Sequence, residues 1–208
     1  MTLPGVLADN PRLDRWLNFV TPGKVELATG RVELGQGVLT AMAQIAAEEL
    51  DVALSRIAIT SGDTALTPNE GYTAGSQSMQ SGGVAMRQVC ADVRALFLEQ
   101  AAKIIDCAAS ELAVRDGRIL RNGASTGQDY WTLAAAVDLK VKASGAGIRK
   151  APADFTTIGS NSPRRDLPAK IFGDSVFIHD MKIPGMKHAR VVRQPNYGAT
   201  IGAIDEAA

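Results

Sequence analysis

From position 86 to position 105 apolar side chains return every three or four residues: Met86, Val89, Cys90, Val93, Leu96, Phe97, Ala101, Ile104 and Ile105. That period belongs to a helix, and no other run in the chain states its secondary structure so strongly. Gly82 and Gly83 stand near its start. Each costs helix propensity, about 1 kcal/mol against alanine, and each lets another helix or a ligand come close. A second helix is read over VLTAMAQIAAEELD, with Val38, Met42, Ile45 and Leu50 on one face and Glu48, Glu49 and Asp51 at the far end. Ahead of it, the alternating stretch from Lys24 to Leu34 reads as two strand pieces or one bent strand, closed by Gly35-Gln36-Gly37. A short strand over Arg56–Thr60 follows. The unit is therefore strand, glycine-rich turn, helix, strand, and two parallel strands so joined imply a right-handed crossover.

Between this unit and the long helix lies SGDTALTPNEGYTAGSQ, residues 61–77, a loop of the length that is often functional. Downstream, ELAVRDGRIL carries Asp116-Gly117 between two apolar runs, which marks a hairpin. Trp131–Val141 reads as a short helix and residues 142–165 as a linker. From Asp166 the texture changes to short strands and turns, the opening of a second, strand-rich module with nothing to cover it. The expected organisation is a packed arm over 1–20, a main domain over 21–141, the linker, and the start of a further domain over 166–208. The fold class is α+β, with mixed α/β layers.

Composition narrows the function. The 208 residues carry 22 basic and 22 acidic side chains, so no bulk attraction to nucleic acid or to an anionic membrane is implied. A hydrophobic share of 46% is that of a folded chain rather than a disordered one, yet no stretch is long and apolar enough to span a bilayer. The two cysteines, Cys90 and Cys107, read as buried thiols; two are too few for an iron–sulfur cluster, which usually takes four thiolates. His179 and His188 lack a third partner, so no metal site is read. Met1-Thr-Leu-Pro-Gly has neither basic nor apolar signal regions, so the expected compartment is the cytoplasm. The periplasm stays open if an export signal lies outside this chain.

Two segments offer ligand chemistry. Gly35-Gln36-Gly37, between a strand and a helix, suits an anion cradle, because glycines expose backbone N–H groups at a positive helix end; on spacing alone a plain tight turn is the favoured reading. The dinucleotide fingerprint is broken by Thr40, and no phosphate-loop lysine follows. Ser76-Gln77-Ser78 offers two hydroxyls and a carboxamide at the start of the long helix, suited to phosphate or a polar heterocycle; a serine N-cap is the other reading. Tyr72 lines a pocket or sits on a surface turn. No nucleophile and base stand out.

At these residues the chain resembles a known family. GRVELGQGVLTAMAQIAAEELDV followed by SGDTALTPNEGYTAGSQSMQSGGVAMR is similar to the molybdopterin-binding large subunit of the xanthine dehydrogenase/aldehyde oxidase family, in its isoquinoline 1-oxidoreductase and nicotinate dehydrogenase branch. PRRDLPAKIFGDSVFIHDMKIPGMKHARVV resembles the start of that family's hammerhead domain. The resemblance makes residues 21–141 part of a molybdopterin-binding domain. It implies that Gly35, Gln36 and Gly37 contact the pterin, and that Gly75, Ser76, Gln77 and Ser78 wrap the pterin and its phosphate. It implies a molybdopterin cofactor, usually the cytosine dinucleotide form in bacteria, serving hydroxylation of N-heteroaromatics or aldehydes with oxygen from water. The family's catalytic glutamate has no counterpart here. The expectation is an N-terminal fragment or split subunit, inactive alone, which shares its cofactor with the remainder of the large subunit or a separate chain. A small [2Fe–2S] subunit, and in some relatives a cytochrome, would complete the assembly. A remnant that keeps the fold as a binding or assembly module is the alternative.

Overall fold

The computed structural model describes residues 3–174 and 177–205; the remaining residues, which fall in the expected arm and the expected second module, lie outside the described residues. The chain divides into two units, residues 1–168 and 169–208.

In the first unit, the short helix α1 (Gly5–Asp9) leads to β1 (Leu17–Asn18), β2 (Val25–Thr29), helix α2 (Val38–Leu50) and β3 (Ile57–Ser61). These strands form one sheet in the order β1-β2-β3, β1 antiparallel and β3 parallel to β2, with Val25 opposite Ile57 and Leu27 opposite Ile59. Val25, Leu27 and Thr29 alternate inward, as a half-buried strand requires. The expected arm supplies core: Leu7, Leu13, Trp16, Leu17 and Phe19 are buried.

The long helix α3 (Val84–Ile105) packs on α2 and is prefixed by a π-helical stretch, Ser78–Gly83. The two glycines permit this approach. A Cβ at Gly82 would lie 3.0 Å from Met42 Cε, and one at Gly83 would lie 3.2 Å from Ile45 Cδ1. Of the two openings read from the sequence, a neighbouring helix takes this one. β4 (Leu112–Arg115), β5 (Arg118–Arg121) and β6 (Ala124–Asp129) make an antiparallel sheet. The hairpin between β4 and β5 turns at Asp116 and Gly117, φ 48° and 78°, the two positive values a type I′ turn demands. Phe19, Phe97 and Tyr130 cluster with ring centroids 4.8–5.2 Å apart, joining the sheets and α3 in one core.

Four expectations change. Residues 31–34 are not a strand: Arg31 and Val32 bond to Tyr72 and Thr73, and Glu33 and Leu34 to the glycine turn, instead of to a ladder. The helix expected over Trp131–Val141 is one turn, α4 (Tyr130–Leu133), capped by Asp129 and followed by a 3₁₀ turn over Ala134–Ala136. Residues 142–165, expected to be a linker, are a strap packed on the first unit and anchored by buried acids of α2 and α3. Asp92 accepts from the N–H groups of Ser144, Gly145 and Gly147 at 2.7–2.9 Å. Glu48 accepts from those of Thr156, Thr157 and Ile158 at 2.6–2.9 Å and from Lys150 Nζ at 3.1 Å. At Gly147 any Cβ would collide with the α3 backbone at Ala91 and Asp92.

The fourth change concerns the second unit. Helix α5 (Leu167–Ile171) lies at the division, a 3₁₀ turn covers Ile178–Asp180, and no strand forms among the described residues of 169–205. Strands need hydrogen-bonded neighbours, which the unit does not supply within itself. Its apolar residues, among them Phe172, Ile178, Val192, Tyr197 and Ile201, are exposed. Among the described residues no helix is long and apolar enough to cross a membrane.

Candidate functional site

The strand β2 ends at Thr29, and the chain leaves it through Gly30, Arg31 and Val32 into the glycine turn before α2. Gly35 and Gly37 both take positive φ, 107° and 79°, and Gly37 is the N-cap of α2. The turn is closed from inside. Glu33 Oε1 accepts from the N–H groups of Gly35 at 2.8 Å and Gly37 at 2.9 Å, and Oε2 from Leu39 at 3.4 Å. The anion that a helix N-terminus attracts is thus already present, as a side chain. Arg164, from the strap, balances it: its guanidinium lies 3.6 Å from Glu33, donates to the Gly35 carbonyl at 2.8 Å and pairs with Asp166 at 2.6 Å. Gln36 is exposed, its carboxamide held by its own loop through the Leu34 N–H (2.5 Å) and the Val32 carbonyl (2.9 Å). Nothing lies within 4 Å of a Cβ built on Gly35, so one side of the turn is open. The N–H groups of Gly35 and Gly37 are thus spent on Glu33, and the turn presents an exposed carboxamide.

The second segment is built the opposite way. Gly75 and Ser76 both take positive φ, 61° and 58°, and the chain enters the π-helical stretch at Ser78. No side chain caps this end, so the N-cap reading does not hold; Gln77 precedes the first turn and its carboxamide reaches back to the Gly75 carbonyl at 3.4 Å. Gly75, Ser76 and Gln77 are exposed and Ser78 half-buried, and neither serine hydroxyl is spent on another group among the described residues. A π-helical start widens the helix mouth, a feature frequent at functional sites. Here the donors are free.

The two segments are joined at their roots. Val32 N–H donates to Thr73 Oγ1 at 2.9 Å and Arg31 Nη1 to the Tyr72 carbonyl at 2.7 Å. Glu70 Oε2 accepts from Thr29 Oγ1 at 2.5 Å and from the Gly30 N–H at 2.7 Å. The Arg31 and Glu70 side chains are 2% and 0% exposed and lie 3.4 Å apart. Tyr72 is 93% exposed, which settles it as a surface residue. Sequence reading passed over Glu33, Arg31, Glu70 and Arg164. For Glu33 a signal existed, an acid just before a glycine turn that opens a helix; the others are met only through loops distant in sequence.

A 510 Å³ groove lined by Phe19, Phe97, Trp131 and Leu139 shares no residue with either segment. Among the described residues no three His, Cys, Asp or Glu side chains gather for a metal. Burial drives the Cys90 thiol far above its usual range, so it stays protonated; Cys107 is half-buried.

A family model described as a molybdopterin cofactor-binding domain matches residues 8–168, the whole of the folded first unit but for its first few residues. The B chain of nicotinate dehydrogenase from Pseudomonas putida is 34% identical over 180 residues, 86% of this chain and 15% of that protein. The beta chain of isoquinoline 1-oxidoreductase from Brevundimonas diminuta is 25% identical, over 99% of this chain and 31% of that protein. Among solved structures, quinoline 2-oxidoreductase from Pseudomonas putida 86 superposes with a TM-score of 0.51 at 24% identity, covering 61% of this chain and 18% of that one. This last likeness bears on fold. The chain thus spans less than a third of either curated relative, and over residues 8–168 it belongs to the molybdopterin cofactor-binding domain family.

Proposed function

We propose that this chain supplies part of the pterin-binding wall of a molybdenum hydroxylase large subunit. The observation that carries the reading is the contrast between the two helix starts. One is capped by Glu33, and the other leaves the Ser76 and Ser78 hydroxyls free beside an uncapped π-helical turn. Ser76, Ser78 and the exposed Gly75 N–H suit the phosphate, since they are donors at a positive helix end; the Gln77 N–H is already spent on the Ala74 carbonyl at 3.2 Å. Gln36, on the turn of Gly35 and Gly37, suits the hydrogen-bonding edge of the pterin, with the open side of Gly35 as its approach. The residues present fit the group. In bacteria it would be the cytosine dinucleotide form. When bound, the molybdenum cofactor supplies the oxygen-transfer and two-electron chemistry; these residues bind and orient it.

The names of the relatives support an N-heteroaromatic substrate class, with aldehydes as the second choice. The proposed partners are the polypeptide that carries the general-base glutamate, a small [2Fe–2S] subunit, and a cytochrome as the outlet for electrons. The residues resembling a hammerhead domain, 166–208, would dock with the rest of that large subunit. On this reading the chain alone is inactive.

The test is the double variant Gln36→Ala, Ser76→Ala in the complex that forms with this chain. Two hydrogen bonds of about 1 kcal/mol each correspond to roughly thirtyfold weaker cofactor binding. Molybdenum by elemental mass spectrometry and released pterin by fluorescence should both fall. Occupancy equal to wild type overturns the assignment of these residues.

A further inference from the structure

We infer that Arg31 and Glu70 are a positioning pair for the segment Gly75–Ser78, an inference that rests on the cofactor reading above. A buried ion pair is poor evidence of stabilisation, because an apolar pair of similar volume often serves the fold as well or better. This one is also incompletely satisfied: Arg31 Nε and Glu70 Oε1 are buried without a hydrogen-bond partner although they lie 3.4 Å apart. The bonds the pair does make lead to the loops. Glu70 holds Thr29 and Gly30 where the chain leaves β2, and Arg31 holds the Tyr72 carbonyl. Arg31 stands four residues before Gly35, and Tyr72 three before Gly75.

The π-helical stretch rests on the same pair. A Cβ at Gly82 would lie 2.5 Å from Glu70 Oε1 and 3.2 Å from Arg31 Nε. Gly30 is equally confined, with the Pro68 carbonyl oxygen where its Cβ would stand. Two charged side chains therefore touch the root of the glycine turn, the root of the 70–78 loop and the floor of the π-helical stretch. Their separation sets how the free serines stand against Gln36. Neither side chain reaches the surface, so neither binds the cofactor itself.

The experiment compares the assembled complex carrying wild-type chain, R31M/E70M, R31K and E70Q. The apolar double variant leaves Thr29 Oγ1, the Gly30 N–H and the Tyr72 carbonyl without these partners and should fold with a lowered thermal midpoint, while backbone amides of residues 72–78 exchange roughly tenfold faster and cofactor binding weakens about tenfold, read as pterin and molybdenum per complex. R31K, which retains one donor for the Tyr72 carbonyl, should restore part of the pterin content. Wild-type pterin content and exchange in a folded R31M/E70M would show a pair serving the fold alone and overturn the inference. If that variant does not fold, E70Q decides: it keeps an acceptor for Thr29 and Gly30 and removes only the charge facing Arg31, and unchanged pterin and exchange again overturn the inference. A wild-type complex without pterin overturns the cofactor reading itself, visible before any variant is made, and the positioning role falls with it.

Discussion

Glu33 shows how one side chain changes what a motif means. As letters, glycine–glutamine–glycine before a helix invites an anion; in the fold, the carboxylate two residues upstream has already taken the N–H groups of Gly35, Gly37 and Leu39. Glu33→Ala removes an N-terminal cap and should cost about 1–2 kcal/mol, read as a lower urea midpoint. It should also free the helix end, so that inorganic phosphate stabilises the variant more than it does wild type. A phosphate effect equal in both would show that the glycine N–H groups are not available even when uncapped. Of the residues expected to meet a cofactor, the positions of Gly35 and Gly37 were legible because positive φ at a turn is a glycine property. The capping of one helix and not the other was not, since it depends on which way a carboxylate folds back.

At the scale of elements the strap is the main surprise. A stretch of KASGAGIRKAPADFTTIGSNSPRR has no period and reads as a connector. What holds it are acids on α2 and α3, each gathering several of its N–H groups. Burial pushes the Glu48 carboxyl up, but the N–H groups of Ile158, Thr157 and Thr156 and the Lys150 ammonium together bring it below the usual carboxylate range. A group with a depressed folded pKa contributes stability at pH above its unfolded value and loses it as the pH falls through the folded one. Its neighbour Asp51 is shifted the other way by burial, so it adds nothing to this acid sensitivity. The strap should therefore loosen below about pH 4.5, the ordinary value for this group, which proteolysis at residues 144–162 would register. Glu48→Ala strands three N–H groups and leaves the Lys150 ammonium with Asp51 at 2.5 Å, and should cost about 3 kcal/mol in thermal or urea unfolding at neutral pH. A loss under about 1 kcal/mol would mean that Asp92 and Glu49, which accepts from the Lys150 N–H at 3.1 Å, hold the strap unaided.

For the whole molecule, the division at residue 168 separates a unit with a closed hydrophobic core from one whose apolar side chains stand exposed. Limited proteolysis should cut first within residues 177–204, and the remaining 1–168 should keep the thermal transition of the full chain to within about 2 °C. A transition that collapses on trimming would show that the second unit stabilises the first. The expected arm and main domain proved to be one core, because Trp16, Leu17 and Phe19 fill the space between sheet and helices. Periodicity cannot report such a contribution from a short, irregular segment.

The sequence alone determined the helices over 38–50 and 84–105, the hairpin at Asp116-Gly117 and the two glycine-bearing segments, because local periodicity and backbone preference decide these. Tertiary structure decided which helix start is open, which residues bind the loops together and that the strap belongs to the domain. Each of these depends on where a buried charge finds its partners: Glu33 in its own turn, Arg31 across to Tyr72, Glu48 more than a hundred residues away in the strap. Burying a carboxylate or guanidinium costs free energy that partners offset, and only the folded chain shows which partners those are.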